Sequence, residues 1–179
     1  SCPMKLSQVE SFGADYSALG HVHNPASYGE RVAYCGCLEG RGFDECGEKG
    51  FVLLEVEDGQ VQHKFVPFAR RTLVEVNVDI TGLTAVTEIL QAMEAASGTV
   101  SADNLVKFTL SGHYTLETQK DLTFLKKMLE GKFYFLKIKD ESRLRIEKET
   151  YEHDASLKGE FIRLVMASDR SEEEKEQII

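Results

Sequence analysis

The stretch "Gly13-Ala14-Asp15-Tyr16-Ser17-Ala18-Leu19-Gly20-His21-Val22-His23" runs from a short apolar segment through a glycine into two histidines one residue apart, and Asn24-Pro25 closes it. If the backbone is extended here, side chains at i and i+2 face the same way. His21 and His23 then share one face with their Cα atoms about 6.5 Å apart, while Val22 turns back to a core. Two imidazoles converging from that spacing can share one metal ion, or each take one ion of a pair about 3.5–4 Å apart. A zinc site needs three or four ligands. Cys35 and Cys37, also at i and i+2, would complete a tetrahedral site with the two histidines, though Cys-x-x-Cys is the usual spacing. Buried, inert thiols are the alternative reading of these cysteines.

Around this stretch the first seventy residues read as short elements and loops. Met4 to Phe12 carries Leu6 and Val9 at helical spacing and stops at Gly13. Tyr16 to Leu19 and Arg31 to Tyr34 are candidate strands. Phe51 to Val56, the Asp58-Gly59 turn and Val61 to Val66 make a hairpin. Between them lies a glycine-dense loop, Gly40 to Gly50. It is a poor nucleotide loop, because Glu48 stands where the phosphate-binding lysine belongs and Gly50, not Ser or Thr, follows Lys49.

Near Ala69-Arg70-Arg71 the texture changes, which divides the chain into residues 1–70 and 71–179. Leu73 to Ile80 alternates, with Val74, Val76, Val78 and Ile80 on one face. Leu83 to Ala96 places Leu83, Val86, Leu90 and Met93 on a helical stripe. Leu105 to Ser111 is a strand. Glu117 to Glu130 is a second helix, with Thr118 as its cap and Leu122, Leu125, Met128 and Leu129 inward. Lys132 to Lys139 and Arg143 to Glu147 read as a hairpin about Asp140-Glu141-Ser142. The order is β-α-β-α-β-β, an α+β module. Ser156 to Ala167 follows as a helix, and Ser171 opens another.

The net charge of −9 argues against a chain that is a phosphate-backbone binder throughout. One interval runs the other way: Lys137, Lys139, Arg143 and Arg145 form a basic face between Lys126 and Lys148. Four cysteines are too few for a disulfide scaffold. No apolar run approaches the roughly 20 residues of a membrane helix, and no signal-peptide core follows the N-terminus. The expectation is a cytoplasmic chain with no membrane contact.

The residues from Gly13 to His23 resemble the last metal-ligand motif of the calcineurin-like metallophosphoesterases, closest to the branch with bacterial DNA-repair exonucleases of the SbcD type. "Val32-Ala33-Tyr34-Cys35-Gly36" and "Gly42-Phe43-Asp44-Glu45 … Glu48-Lys49-Gly50-Phe51-Val52-Leu53-Leu54" look like the strand, loop and strand that follow it there. The module from about residue 72 is similar in order to the capping domain of these nucleases. The resemblance implies the C-terminal strands of a metallophosphoesterase β-sandwich followed by that β-α-β-α-β-β cap.

It further implies a hydrolase that uses two divalent ions, commonly manganese, with His21 and His23 each a ligand to a different ion. DNA would be the substrate of the parent protein, and an SMC-like ATPase its partner. The family's earlier ligand motifs lie upstream of the matching one and are absent from this sequence. The chain alone is therefore expected to hold no ion tightly and to be inactive, as the C-terminal part of an incomplete catalytic domain. Strands separated from half their sheet expose an edge and an apolar face, so a homo-oligomer is expected. Arg41, in the glycine loop, is a candidate substrate contact beside Lys137, Lys139, Arg143 and Arg145. The alternatives are a noncatalytic DNA- or partner-binding capping module, and the structural zinc site of His21, His23, Cys35 and Cys37.

Overall fold

The computed structural model of the protein describes residues 4–146, 151–171, 174–175 and 178–179. It is a mixed α+β chain with two compact units. One comprises residues 1–75, 100–107 and 131–136, the other residues 76–99, 108–130 and 137–179.

In the first unit, α1 (Leu6–Glu10) is little more than a turn and buries Val9. Gly13, at φ +70°, turns the chain toward β1 (Ser17–Leu19). Strands β2 (Ala26–Ser27) and β3 (Val32–Tyr34) complete a three-stranded sheet in the order β1-β3-β2. β3 is the buried centre, with Val32 and Ala33 almost fully covered. It pairs in parallel with β1, Ser17 opposite Val32 and Leu19 opposite Tyr34, and antiparallel with β2. Parallel strands cannot be joined by a tight hairpin, so residues 20–31 must cross over. That requirement puts the two histidines in a crossover loop.

β4 (Gly50–Glu57) and β5 (Gln60–Pro67) form the expected antiparallel hairpin in full register from Gly50–Pro67 to Glu57–Gln60. Asp58 and Gly59 take φ of +49° and +77°, the two positive values a type I′ turn requires. At Gly50 a Cβ would stand 2.1 Å from the Val66 carbonyl oxygen, so the start of the hairpin admits only glycine. Leu53, Leu54 and Val56 on β4 are exposed.

The remaining strands are β6 (Leu73–Asp79), β7 (Leu105–Ser111), β8 (His113–Tyr114), β9 (Phe135–Asp140) and β10 (Arg143–Leu144). β6, β7 and β9 form a sheet in the order β6-β7-β9. The helices are α2 (Val86–Ala96), α3 (Leu122–Leu129) and α4 (Leu157–Met166). In the second unit Val76, Val78, Ile80, Ile89, Met93, Phe108, Leu110, Leu125 and Leu129 are buried. Each full burial is worth about 1.5–3 kcal/mol against exposure. The alternation of β6 and the stripe of α2 are thus the source of this core.

Three details differ from the sequence expectation. α3 starts at Leu122, because the Asp121 carboxylate accepts from the Thr123 and Phe124 amides at 2.9 Å each. Thr118 is spent upstream instead, on the Thr115 amide and the Leu83 carbonyl. Met128 is exposed rather than inward, since Leu125 and Leu129 already define the buried side. Finally, β10 does not fold back on β9. It pairs in parallel with β8, Arg143 opposite His113 and Leu144 opposite Tyr114, and Leu144 is buried there. Glu147 and Lys148 lie outside the described residues, as does part of the helix expected after Ser171. Among the described residues, no helix is long and apolar enough to cross a membrane.

Candidate functional site

The two histidines do not sit on a strand. β1 ends at Leu19, and His21 takes φ of +78°, a left-handed conformation rare for a residue with a Cβ. That twist breaks the i, i+2 alternation. Val22 is 40% exposed rather than turned to a core. His21 is exposed, whereas His23 is half-buried. The residues at 20–25 form a turn raised over the chain that follows β3.

Gly36 makes the floor of this turn. It has φ of +74°, and a Cβ there would meet the His23 carbonyl oxygen and the Pro25 nitrogen at 3.0 Å each. The His23 carbonyl also accepts from the Cys37 thiol at 3.5 Å and from the Lys49 ammonium at 3.4 Å. Lys49 donates to the Asn24 side-chain oxygen as well, and it is 2% exposed.

The glycine loop supplies the rest. Glu45, with its side chain 12% exposed, places Oε1 2.5 Å from His23 Nδ1. Its other oxygen accepts from the Arg41 amide at 2.9 Å. The bond from His23 and the Arg41 amide hold the Glu45 carboxyl at about 2, well below its ordinary value, against the opposing push of burial. An ionised carboxylate only accepts, so Nδ1 carries the proton of this contact, and Nε2 is turned toward the Arg41 guanidinium. Arg41 Nη2 lies 2.8 Å from Nδ1 and 3.1 Å from Nε2. With Nδ1–H committed to Glu45, the guanidinium can donate to Nε2 of the ring and, at 3.4 Å, to Glu45 Oε1.

The donors of this turn suit a divalent ion in kind. Neutral imidazole is a common ligand for first-row metals. A ligating histidine commonly donates its second ring N–H to a carboxylate, which fixes tautomer and orientation, and His23 has that arrangement with Glu45. Among the described residues, however, no three His, Cys, Asp or Glu side chains form a group that could hold an ion. The zinc site of His21, His23, Cys35 and Cys37 is therefore not formed. The Cys35 thiol is directed at the Gly36 carbonyl, and the Cys37 thiol at the His23 carbonyl and, at 3.8 Å, at Glu45 Oε2. Cys35, Cys37 and Cys46 are free, and burial pushes the Cys46 thiol up.

Of the residues singled out from sequence, Arg41 and His23 come together, and His21 shares the turn of His23. Lys137 and Lys139 are exposed on alternate positions of β9, with Lys139 paired to Glu141. Arg143 and Arg145 are exposed on either side of buried Leu144. Sequence reasoning missed Glu45 and Lys49 as parts of the site. Both stand in the glycine loop, but their partners lie 22 and 26 residues away. No local pattern links positions so far apart.

No family model matches the chain. Its sequence is similar to the uncharacterized metallophosphoesterase YhaO of Bacillus subtilis (strain 168), with 29% identity over 96 residues. The match takes in 52% of this chain, and the chain spans 24% of that relative's length. This distant similarity supports a relationship to the calcineurin-like metallophosphoesterases, a phosphoesterase type of function, and the divalent-metal use of that family.

Proposed function

We propose that the chain supplies the last histidine motif of a divalent-metal phosphodiesterase acting on DNA, of the DNA-repair exonuclease branch, and carries the cap that follows it. In this reading residues 1–70 belong to the catalytic domain and residues 71–179 to the cap. The observation that carries the reading is the imidazole of His23, clamped at Nδ1 by Glu45, with Nε2 held by the Arg41 guanidinium that an ion would displace. His21 and His23 are the ligands, one to each of two ions, with manganese the expected metal. When bound, such ions supply a polarised phosphodiester oxygen and a water activated for in-line attack.

The chain's own residues prepare for that chemistry. Glu45 holds the His23 proton at Nδ1 and so leaves Nε2 as the accepting nitrogen. Arg41, already lying on the His23 ring, is placed to meet a phosphate beside it. Two imidazoles do not complete a dinuclear centre, so the chain alone hydrolyses no phosphodiester, and the remaining ligands come from outside the described residues. The basic residues Lys137, Lys139, Arg143 and Arg145 meet the DNA backbone, and an SMC-like ATPase is the proposed partner of the whole enzyme.

The test is a manganese titration of the isotope-labelled chain followed by magnetic resonance. Weak sites are visible there, because the bound ion broadens nearby nuclei. Broadening confined at first to His21, His23 and their neighbours is expected. Broadening spread over the acidic surface, with the two histidines no different from Asp and Glu side chains elsewhere, refutes the reading.

A further inference from the structure

Lys49 has no role in the functional reading so far, yet its side chain is nearly inaccessible, 2% exposed. Burying an ammonium is unfavourable unless its protons find strong acceptors. Its described partners are two neutral oxygens, the His23 carbonyl and the Asn24 side-chain amide, and both belong to one turn. A residue that only filled volume at the start of β4 would be served better by leucine or methionine, which carry no desolvation cost.

The turn that receives these bonds needs holding. His21 occupies the left-handed region at φ +78°, where a residue with a Cβ is strained. Such a conformation persists only when the surroundings impose it. Below the turn, Gly36 admits the His23 and Pro25 backbone to 3.0 Å, and the Cys37 thiol reaches the same His23 carbonyl that Lys49 does. Glu45 grips His23 from the side, through its ring. Of these contacts, Lys49 alone brings a full charge to the backbone, and it ties residue 23 to residue 24.

We propose that Lys49 is the positioning residue of the histidine turn: its buried ammonium pulls the His23 carbonyl and the Asn24 side chain inward, and thereby sets the two imidazoles outward in one fixed arrangement. This rests on the reading of His21 and His23 as metal ligands, but the geometric part can be tested without a metal. Lys49 touches neither ion nor substrate. It acts through the backbone of its neighbours.

The experiment uses the full chain with labelled histidine nitrogens, three single variants and one double variant. Lys49→Met keeps the volume and removes the donor. Asn24→Ala removes one acceptor at an exposed position. Val9→Ala lowers stability within the same unit, away from the turn. The readouts are the ring nitrogen and proton signals of His21 and His23, the manganese concentration that half-broadens them, and the thermal midpoint.

In Lys49→Met, the ring signals are expected to move toward those of free histidine and the half-broadening concentration to rise about tenfold, within the range found when support of a metal ligand is lost. Asn24→Ala should move the same signals the same way by less. The double variant Asn24→Ala/Lys49→Met should be no worse than Lys49→Met. Val9→Ala should lower the midpoint and leave the ring signals in place.

Unchanged ring signals in Lys49→Met overturn the proposal. So does full additivity of the two turn variants, or an equal displacement of the signals in Val9→Ala, because the role is then general stability. If Lys49→Met does not fold, Asn24→Ala decides alone, and unmoved signals there overturn the proposal. If manganese broadens nothing at the turn of the unaltered chain, the metal reading fails. The ring signals in the variants still decide the positioning.

Discussion

Replacing Gly36 by alanine should damage the floor of the histidine turn by two separable routes. The first is conformational: φ of +74° places an alanine Cβ in the left-handed region, at about 1–2 kcal/mol. The second is steric. The new Cβ would meet the His23 carbonyl oxygen and the Pro25 nitrogen at 3.0 Å and the Pro25 Cδ at 3.1 Å. Two of these are backbone atoms that cannot swing away, so the turn must lift. Overpacking of this kind costs about 1–3 kcal/mol, and the expected total is about 2–5 kcal/mol.

Gly47 provides the control. It has φ of +90° but nothing within 4 Å of a Cβ, so Gly47→Ala should show the conformational part alone, about 1–2 kcal/mol. The assay is urea unfolding followed by circular dichroism. With a slope of roughly 1.5 kcal/mol per molar, Gly36→Ala should lower the midpoint about 1 M further than Gly47→Ala does. Equal midpoints for the two variants would refute the close packing of Gly36 beneath His23. An unshifted midpoint for both would refute the left-handed backbone as well.

Glu45→Gln should cost little stability but release His23 Nδ1 from its carboxylate. Long-range proton–nitrogen correlation should then report a mixture of tautomers where the unaltered chain shows a single one, and a single unchanged tautomer would contradict the role given to Glu45. In the second unit, Lys120 donates to Asp140 at 2.7 Å and to Ser142 at 3.0 Å and lies 3.4 Å over the Tyr114 ring. Lys120→Met should therefore destabilise by about 1–3 kcal/mol, measured by thermal melting, and no loss would mean that the clasp is decorative.

Burial pushes the Asp140 carboxyl up, but the bonds from Lys120 and Ser142 outweigh it and leave the group below its ordinary value. Its stabilisation is thus complete above the unfolded-state value of 3.8 and is lost as pH falls through the lower folded value. Asp140→Asn should flatten that acid limb, and an unaltered limb would exclude the group. A DNA-binding titration should weaken steeply with salt and lose slope in a Lys137→Ala/Arg143→Ala variant; no binding in 50 mM salt would remove the DNA contact. Exposed Leu53, Leu54 and Val56 on an eight-residue strand predict self-association, which a monodisperse monomer in light scattering at micromolar protein would refute.

Sequence alone determined what local chemistry controls. The hairpin of β4 and β5 was legible because Asp58-Gly59 suits a type I′ turn whatever surrounds it. The core of β6 and α2 was legible because periods of two and 3.6 residues decide which side chains meet a common surface. The histidine pair was legible as a pair of side chains that can ligate. Its geometry was not, because the left-handed turn at His21 is imposed by the crossover from β1 to β3 and by the floor at Gly36. Likewise β10 chose β8 over β9, and the short Asp140-Glu141-Ser142 link concealed that choice.

Only the tertiary structure brought Glu45 to His23 and Lys49 to Asn24. These contacts join a turn to a loop more than twenty residues on. Such a link is written in no period and no local motif, because it is made by packing, which ignores distance along the chain.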